Sequence, residues 1–135
     1  MAHILRTRNR TTRIHMVHYL ADDELLKHPT HPEDFIRYRK GMGGTLEIFD
    51  IAVMSERGKG RGRELIKMLL NLVAGHNTHD ADLPKIRVVF AITRWSNTIA
   101  QQFYEAVGFR IVGRLHNFYR EDNPSEHGIM YGIDL

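Results

Sequence analysis

The sequence predicts an α/β (α+β) domain built on one mixed β-sheet with helices packed against it. From residue 45 onward, segments with the apolar patterns of strands and helices follow one another as strand, helix, strand, helix, strand, strand. A basic, glycine-rich turn joins the first of these strands to the first helix. With 135 residues, the chain is expected to form a single domain over residues 1–135.

The residues before position 45 predict only short elements. Apolar side chains over 3–20 indicate one or two strands, and residues 21–27 indicate a short helix. Pro29 and Pro32 would end that helix, because proline lacks the backbone donor. A glycine-rich turn at 41–44 then leads into the next strand.

The central strand and helix are predicted by clearer patterns. Residues 45–54 are rich in β-branched and aromatic side chains and are predicted to form a strand. Residues 62–74 present one broad apolar stripe and are predicted to form a helix that ends at Gly75, before a loop over 76–84. Strict alternation would divide the strand into two faces, one with Glu47, Phe49, Ile51 and Val53, the other with Ile48, Asp50 and Ala52.

The C-terminal third predicts one more helix and three strands. Residues 86–92 form a nearly continuous apolar run, as expected of a buried strand. Ser96 or Asn97 is expected to cap a helix that ends at Gly108. Two more strands are predicted over 109–115 and 128–135, with a polar loop between them over 117–127.

The composition restricts the class of protein. Hydrophobic residues make up 42% of the chain and charged residues 26%, values typical of soluble globular proteins. No apolar run approaches the roughly 20 residues of a membrane span, and the N-terminus lacks the apolar stretch of a secretory signal. The absence of cysteine excludes disulfides, thiolate metal sites and a cysteine nucleophile. These features predict a cytoplasmic protein with no membrane partner.

The turn after residue 54 has the chemistry of a phosphate site. Charged residues alternate with glycines there, in the order Arg57, Gly58, Lys59, Gly60, Arg61 and Gly62. At a helix N-terminus about four backbone N–H groups have no internal partner, and the helix dipole adds roughly half a positive charge. Glycines let the backbone approach an anion closely, and the cationic side chains can bind phosphate oxygens. The segment is therefore predicted to bind a pyrophosphate.

Two common nucleotide motifs are absent from this turn. The sequence contains no Walker A string, and glycines at 58, 60 and 62 do not have the spacing of the dinucleotide fingerprint. The chain also holds too few strand–helix units for a doubly wound dinucleotide fold. A basic, glycine-rich surface loop without a ligand remains as the alternative.

Two motifs resemble those of the GNAT superfamily of N-acetyltransferases. Ile51-Ala52-Val53 followed by Arg57-x-x-Gly60-x-Gly62 is similar to the family's acetyl-CoA signature. Asn97-x-x-Ala100-x-x-Phe103-Tyr104-x-x-x-Gly108-Phe109 is similar to its second motif. The resemblance covers residues 45–135 and implies the GNAT fold, a mixed, mostly antiparallel sheet flanked by helices, with a shortened N-terminal region in this chain.

The resemblance implies that the chain binds acetyl-CoA as its cosubstrate. In the family, the pantetheine arm pairs with the strand backbone that matches Ala52 and Val53, and the glycine-rich turn holds the pyrophosphate. Tyr104 matches the family's general acid, which can protonate the departing thiolate; the alternative is that Tyr104 simply packs in the core beside Phe103. The residues expected to bind acetyl-CoA are Ile51, Ala52, Val53, Arg57, Gly58, Lys59, Gly60, Arg61, Gly62, Arg63, Asn97 and Tyr104.

An amine substrate also needs a group that accepts its proton. Glu47 has a position similar to the catalytic glutamate of the histone acetyltransferase branch, and its alternative role is a carboxylate at an exposed strand start. Asp50 is expected on the other face of the strand and is the weaker candidate. Ribosomal-protein alanine acetyltransferases carry a glutamate on the next strand where this chain has Ile92, which argues against their specificity.

The resulting hypothesis is an acyltransferase that moves acetyl from acetyl-CoA to a primary amine, on a small molecule or a protein, by direct attack in a ternary complex. Two alternatives stay open: an acyl-CoA-binding module without efficient catalysis, and an RNA-directed acetyltransferase suggested by arginines near the N-terminus. Nucleic acid is the less favoured partner, since such charges are commonly a solvated surface. The short region before the CoA strand leaves little room for the helices that wall the family's acceptor site. The acceptor pocket is therefore expected either to be open or to be completed by a second subunit, in a homodimer.

Three His-x-x-His pairs are the remaining candidate motif: His15/His18, His28/His31 and His76/His79. With no cysteine and no third ligand in the pattern, no metal is expected. We interpret the histidines of the loops as exposed to solvent.

Overall fold

A computed structural model describes residues 3–6, 23–55, 58–79 and 84–135 of the chain. These residues form seven strands and two helices. In chain order they are β1 (His3–Arg6), β2 (Glu24–Lys27), β3 (Phe35–Gly41), β4 (Thr45–Val53), α1 (Arg61–His79), β5 (Val88–Arg94), α2 (Thr98–Ala106), β6 (Arg110–Tyr119) and β7 (Glu126–Asp134).

The strands of the described residues belong to one sheet with the order β2-β3-β4-β5-β7-β6, and β1 pairs with β4 outside this path. Strands β4 and β5 pair in parallel, joined by a crossover through α1. The other described pairs are antiparallel. The predicted mixed, mostly antiparallel sheet is confirmed.

The main apolar core lies between the helices and one face of the sheet. It joins Leu65 of α1 and Ala100 of α2 to strand residues that include Ile48 and Val89. A second, smaller cluster contains Phe90, Ile92, Phe118 and Tyr119. Because successive residues of a strand point to opposite faces, this second cluster lies on the face turned away from the helices.

The segment predicted as a short helix forms strand β2 instead. Its residues pair with β3, from Glu24 opposite Tyr38 to Lys27 opposite Phe35. A stretch this short, ended by Pro29, forms too few helical hydrogen bonds to offset the cost of nucleating a helix. As a strand, it pairs with β3 along its whole length. Of the one or two strands predicted over 3–20, the first part forms β1 (His3–Arg6), and residues 7–20 lie outside the described residues.

Two other boundaries differ from the prediction. Helix α1 continues through Gly75 to His79, so the predicted loop begins later than expected. Gly75 does not adopt the positive φ of a helix-ending glycine. Strands β6 and β7 are longer than predicted and extend to Tyr119 and from Glu126, because the hairpin pairs almost to its tip.

Candidate active site

The parallel strands β4 and β5 separate toward their C-terminal ends. Their pairing ends at Ile48 opposite Ala91, although both strands continue. Beyond this point, residues 50–52 of β4 pair with β3 along one edge. A strand has two edges, so the opposite edge faces the gap toward β5. Strand β1 pairs with that edge, with His3 opposite Val53 at the end of β4.

A β-bulge at Phe49 changes the direction of the side chains along β4. Tyr38 of β3 pairs with Ile48, whereas the preceding Arg37 pairs with Asp50, so Phe49 is the extra residue of the bulge. The guanidinium of Arg37 lies 5.9 Å from the centroid of the Phe49 ring and forms an ion pair with Asp50. Phe49 and Asp50 therefore share a face, and the predicted strict alternation is wrong beyond Ile48.

The bulge brings two carboxylates to the same side of β4. Glu47 lies opposite Phe90 of the second apolar cluster, so it faces away from the helices, as Asp50 does. Asp50 was expected on the other face. Glu47 is only 1% exposed and Asp50 only 5% exposed, which rules out an exposed strand start for Glu47. Burying a carboxylate is costly, so two together mark a candidate functional site.

Tyr104 approaches these carboxylates from α2. Its side chain is fully buried, and its ring stacks on Tyr131 with 5.9 Å between the centroids. Burial raises the pKa of Tyr104 well above its ordinary value, and the charges of Asp50, Tyr119 and Glu47 raise that pKa further. The Tyr104 hydroxyl has no hydrogen-bond partner within the described ranges. It is therefore a protonated donor, available to a group that enters the gap between β4 and β5.

Two buried polar residues of the neighbouring strands had no motif to identify them. Arg37 is buried and holds Asp50 in an ion pair. Thr93, near the end of β5, is fully buried, and its hydroxyl also has no partner in the part of the chain that the structure describes. The apolar run of β5 gave no sign of a functional hydroxyl, and Arg37 belongs to neither of the two motifs.

The described part of the glycine-rich turn presents an open backbone. Gly58 and Gly60 have φ angles of 79° and 74°, and a Cβ on either would meet nothing within 4 Å. The N–H of Glu64 donates to the carbonyl oxygen of Gly60 (3.0 Å), which begins α1. The N–H groups before Glu64 are thus at a helix N-terminus, as an anion site requires. Arg57 lies outside the described residues.

The side chains of Arg61 and Arg63 make contacts within the protein. Arg61 donates to a carboxylate oxygen of Glu64 over 3.3 Å, and its second terminal nitrogen lies 3.2 Å from Nε2 of His31. Arg63 donates to the carbonyl oxygen of Ala106, at the end of α2, over 3.1 Å. Each of these contacts uses only part of a guanidinium group, which has five N–H donors, so the backbone N–H groups and the remaining guanidinium donors are the candidates to hold an anion at this turn.

Asn97 caps the second helix of the site, as predicted. Its side-chain oxygen accepts a hydrogen bond from the N–H of Ala100 over 3.1 Å. This cap fixes the start of α2, the helix that carries Tyr104 into the gap.

Asp34, in the loop between β2 and β3, fixes the chain where β4 ends. One oxygen of its fully buried carboxylate accepts hydrogen bonds from the N–H groups of Met54 (2.7 Å) and Ser55 (2.9 Å), and the Ser55 hydroxyl donates to the other. Burial alone would raise the pKa of Asp34, but these hydrogen bonds and nearby His31 hold it below the ordinary value. Sequence reasoning missed Asp34, because an aspartate after Pro32 has the pattern of a common turn.

The described histidines do not form a metal site. No group of three or more His, Asp or Glu side chains in the described ranges is arranged to hold a metal ion. His28, which we expected to be exposed, is only 7% exposed and lies 2.6 Å from a carboxylate oxygen of Glu64.

None of the helices that the structure describes is long and apolar enough to cross a bilayer.

Comparison with known proteins identifies one matching family model and several similar folds. The model of the acetyltransferase (GNAT) family matches residues 31–109. No curated protein matches the chain in sequence. A protein from Desulfovibrio desulfuricans described as a GNAT-family acetyltransferase is 24% identical, with a TM-score of 0.63 over 80% of this chain. The match covers 64% of that protein, so this chain spans less than two thirds of its length.

Two other similar structures contain acetyl-CoA. A protein from Bacillus anthracis described as a streptothricin acetyltransferase is 19% identical, with a TM-score of 0.68 over 99% of this chain and 87% of its own. A GNAT-family acetyltransferase from Elizabethkingia anophelis is 20% identical, with a TM-score of 0.66 over 99% of this chain and 98% of its own. At these identities the structural matches establish a shared fold.

Proposed function

Because the chain belongs to the acetyltransferase (GNAT) family, we propose that it transfers the acetyl group of acetyl-CoA to a primary amine by direct attack in a ternary complex. One observation supports this chemistry above all others. The buried hydroxyl of Tyr104, without a described partner, lies near the buried carboxylates of Glu47 and Asp50 at the gap between β4 and β5. A proton donor and a proton acceptor thus occur together at this gap.

Acetyl transfer requires both of these groups. A C–N bond forms between the amine nitrogen and the acetyl carbonyl carbon, the C–S bond breaks, the amine loses a proton and the sulfur gains one. Glu47 accepts the amine proton, directly or through a water molecule, and Tyr104 donates its proton to the departing sulfur. Asp50 is held in an ion pair by Arg37, so Glu47 is the preferred base.

The cosubstrate is proposed to lie along the gap. The β4 edge at Ile51, Ala52 and Val53 would pair with the pantetheine arm, and Asn97 would bond it from the start of α2. The N–H groups of residues 57–62, with Arg63 beside them, would hold the pyrophosphate. The acetyl-CoA bound in the proteins from B. anthracis and E. anophelis supports this assignment by similarity of fold.

The acceptor is proposed to be a primary amine without further restriction. Ile92 belongs to the second apolar cluster, so β5 offers no carboxylate at that position. The homodimer expected from the sequence stays a prediction, and sedimentation at assay concentrations tests it.

Thiol release in the presence of acetyl-CoA and a panel of amines tests the proposal. The chain contains no cysteine, so a thiol-reactive dye reports only the CoA that is released. We expect release that depends on an added amine, and a turnover number about 100-fold lower in Glu47→Gln, since general bases contribute of that order. Glu105→Gln changes an exposed carboxylate of α2 in the same way and should keep the wild-type turnover number.

Three results would contradict the proposal. If acetyl-CoA raises the unfolding temperature but no amine promotes thiol release, the chain is a binding module. If acetyl-CoA does not bind, the cosubstrate assignment fails. If Glu47→Gln turns over as fast as the wild type, another group accepts the proton.

A further inference from the structure

The loop between β2 and β3 contacts both sides of the glycine-rich turn. Asp34, at one end of the loop, holds the backbone of Met54 and Ser55. His28, at the other end, lies 2.6 Å from the carboxylate of Glu64 in the first turn of α1. The N–H of His28 donates to the carbonyl oxygen of Asp34 over 2.9 Å, which closes the loop on itself. Both flanks of the turn are therefore attached to one short, internally bonded loop.

Five side chains form a closed ring of hydrogen bonds at this contact: Arg61, His31, Thr30, His28 and Glu64. The backbone N–H of Thr30 donates to Nδ1 of His28 (3.3 Å), so that nitrogen carries no proton and Nε2 donates to Glu64. Arginine has only donors, so Nε2 of His31 accepts from Arg61, and Nδ1 of His31 donates to the Thr30 hydroxyl (2.9 Å). The Thr30 hydroxyl in turn donates to Nδ1 of His28 (3.3 Å). The hydrogen bond from Arg61 to the carboxylate of Glu64 closes the ring.

The ring also balances charge beside the proposed pyrophosphate site. The hydrogen bond from His28 is the main cause that lowers the pKa of Glu64; partial burial opposes it, and Arg61 lowers the pKa further. An ionised Glu64 interacts favourably with the N-terminus of α1, but alone it would repel an anion bound there. The guanidinium of Arg61, held in the same ring, offsets that charge.

We propose that this ring is a positioning device for the pyrophosphate of the cosubstrate, in which Thr30 and His31 act through Arg61 and Glu64 without touching the ligand. The inference rests on the proposed function, because it assumes that the turn binds CoA. Glycines at 58 and 60 leave the turn many conformations, and ordering its N–H groups around an anion costs entropy. A turn anchored at both flanks has lost part of that freedom before CoA arrives. The ring therefore affects CoA affinity and leaves the chemical step unchanged.

Removing one hydroxyl from the ring tests this inference. Thr30→Val keeps the shape of the exposed side chain but breaks two of the five contacts, whereas Thr30→Ser restores the hydroxyl. We expect the dissociation constant for CoA, measured by calorimetry, to rise about 3- to 10-fold in Thr30→Val, the effect of losing about one net hydrogen bond. Thr30→Ser should return it to the wild-type value. His79→Ala, at the exposed far end of α1, is the matched control and should bind CoA as the wild type does.

A second acetyl donor distinguishes a positioning role of the ring from general damage to the protein. In Thr30→Val, KM for acetyl-CoA should rise while kcat is unchanged. Acetyl-pantetheine lacks the pyrophosphate and should react with the same kcat/KM in the wild type and the variant. Equal CoA affinity in both proteins, or an equal loss with acetyl-pantetheine, would overturn the inference. A wild type that binds CoA but acetylates no amine would instead refute the proposed function, while the CoA affinities would still decide the role of the ring.

Discussion

Gly62 lies directly against the ring of Phe103. A Cβ on Gly62 would stand 2.7 Å from Cε1 of that ring, closer than real Cβ atoms approach a neighbour, and 3.2 Å from Cζ. Each residue belongs to a different one of the two motifs found in the sequence. Arg63 makes a second contact between the same elements by donating to the carbonyl oxygen of Ala106. The start of α1, with the proposed pyrophosphate site, is thus packed against α2, which carries Tyr104.

The contact predicts opposite effects for two glycine substitutions in α1. Gly62→Ala should lower the free energy of unfolding by about 1–3 kcal/mol, because Phe103 must move to admit the methyl group. Gly75→Ala should raise it by about 0.5–1 kcal/mol, because a Cβ there meets nothing within 4 Å and alanine favours the helix. Urea unfolding of both variants measures the difference.

A compensating substitution controls this interpretation. In the Phe103→Leu background, Gly62→Ala should lower the free energy of unfolding by less than it does in the wild type, since the two residues interact directly. If the losses simply add, the destabilisation by Gly62→Ala has a cause other than the ring of Phe103.

The elements after residue 45 could be predicted because each has its own local pattern. The strand predicted over 45–54 is β4 (Thr45–Val53), and Asn97 caps α2 as its side chain indicates. The end of α1 could not be predicted from Gly75. The helix continues to His79, and the side chain of Asn77 in this last turn bonds both the N–H and the carbonyl oxygen of Ile86. That support comes from another part of the chain, and a local pattern does not contain it.

The site could be predicted only in part for a similar reason. The motifs identified Tyr104, and β4 was predicted to contain Glu47. No glycine or proline within β4 indicates a bulge at Phe49. The bulge arises from the way in which β4 pairs with β3. That register puts Asp50 on the same side as Glu47 and supplies Arg37 as its partner. Asp34 was missed in the same way, since its hydrogen bonds reach residues distant in sequence.

Removal of the Tyr104 hydroxyl should impair turnover with little effect on binding. Tyr104→Phe keeps the ring that stacks on Tyr131 but removes the proposed proton donor. We expect kcat to fall about 100-fold, within the range of general acids, and the dissociation constant for acetyl-CoA to change little. Tyr131→Phe is the matched control, because the Tyr131 hydroxyl donates to the exposed Glu105 over 3.1 Å. Equal kcat values for the two variants would remove Tyr104 from the chemical step.

The pH dependence gives an independent test of Tyr104. Burial raises its pKa well above the ordinary value of about 10, so the hydroxyl stays protonated at neutral and moderately alkaline pH. A raised pKa in the folded state stabilises the fold below the ordinary value, and this contribution is lost as the pH rises through the raised value. Activity should therefore show no loss from tyrosine ionisation up to about pH 10. A loss of activity with rising pH in this range that is present in the wild type and absent from Tyr104→Phe would contradict this expectation.

Asp34→Asn should destabilise the end of β4 in a pH-dependent way. The substitution removes the charge that accepts hydrogen bonds from Met54 and Ser55, with an expected loss of about 1–3 kcal/mol at pH 7. The pKa of Asp34 is lowered in the folded state, so its stabilisation is present above the ordinary value of about 3.9 and is lost as the pH falls through the lowered value. Urea unfolding at pH 7 and pH 3 should show a smaller difference at the lower pH. Glu33→Gln, at the exposed neighbour, should show no loss at pH 7.

Strand β1 and the pantetheine arm are predicted to exclude each other. β1 pairs with the β4 edge that we assign to pantetheine, with Ile4 opposite Ala52. Directly opposite residues of antiparallel strands are close enough for a disulfide, and Ile4→Cys with Ala52→Cys would supply the only cysteines in the chain. The oxidised protein should bind acetyl-CoA at least about tenfold more weakly than the same protein after reduction, because the edge is then permanently occupied.

Two controls locate the effect at this edge. ADP carries the pyrophosphate without pantetheine and should bind the oxidised and reduced forms equally. Lys27→Cys with Phe35→Cys links β2 to β3 away from the gap, and its oxidation should leave acetyl-CoA affinity unchanged. If the linked β1 does not weaken acetyl-CoA binding, pantetheine does not use this edge of β4. A loss of ADP binding on oxidation would mean that the link disturbs the glycine-rich turn and not the edge alone.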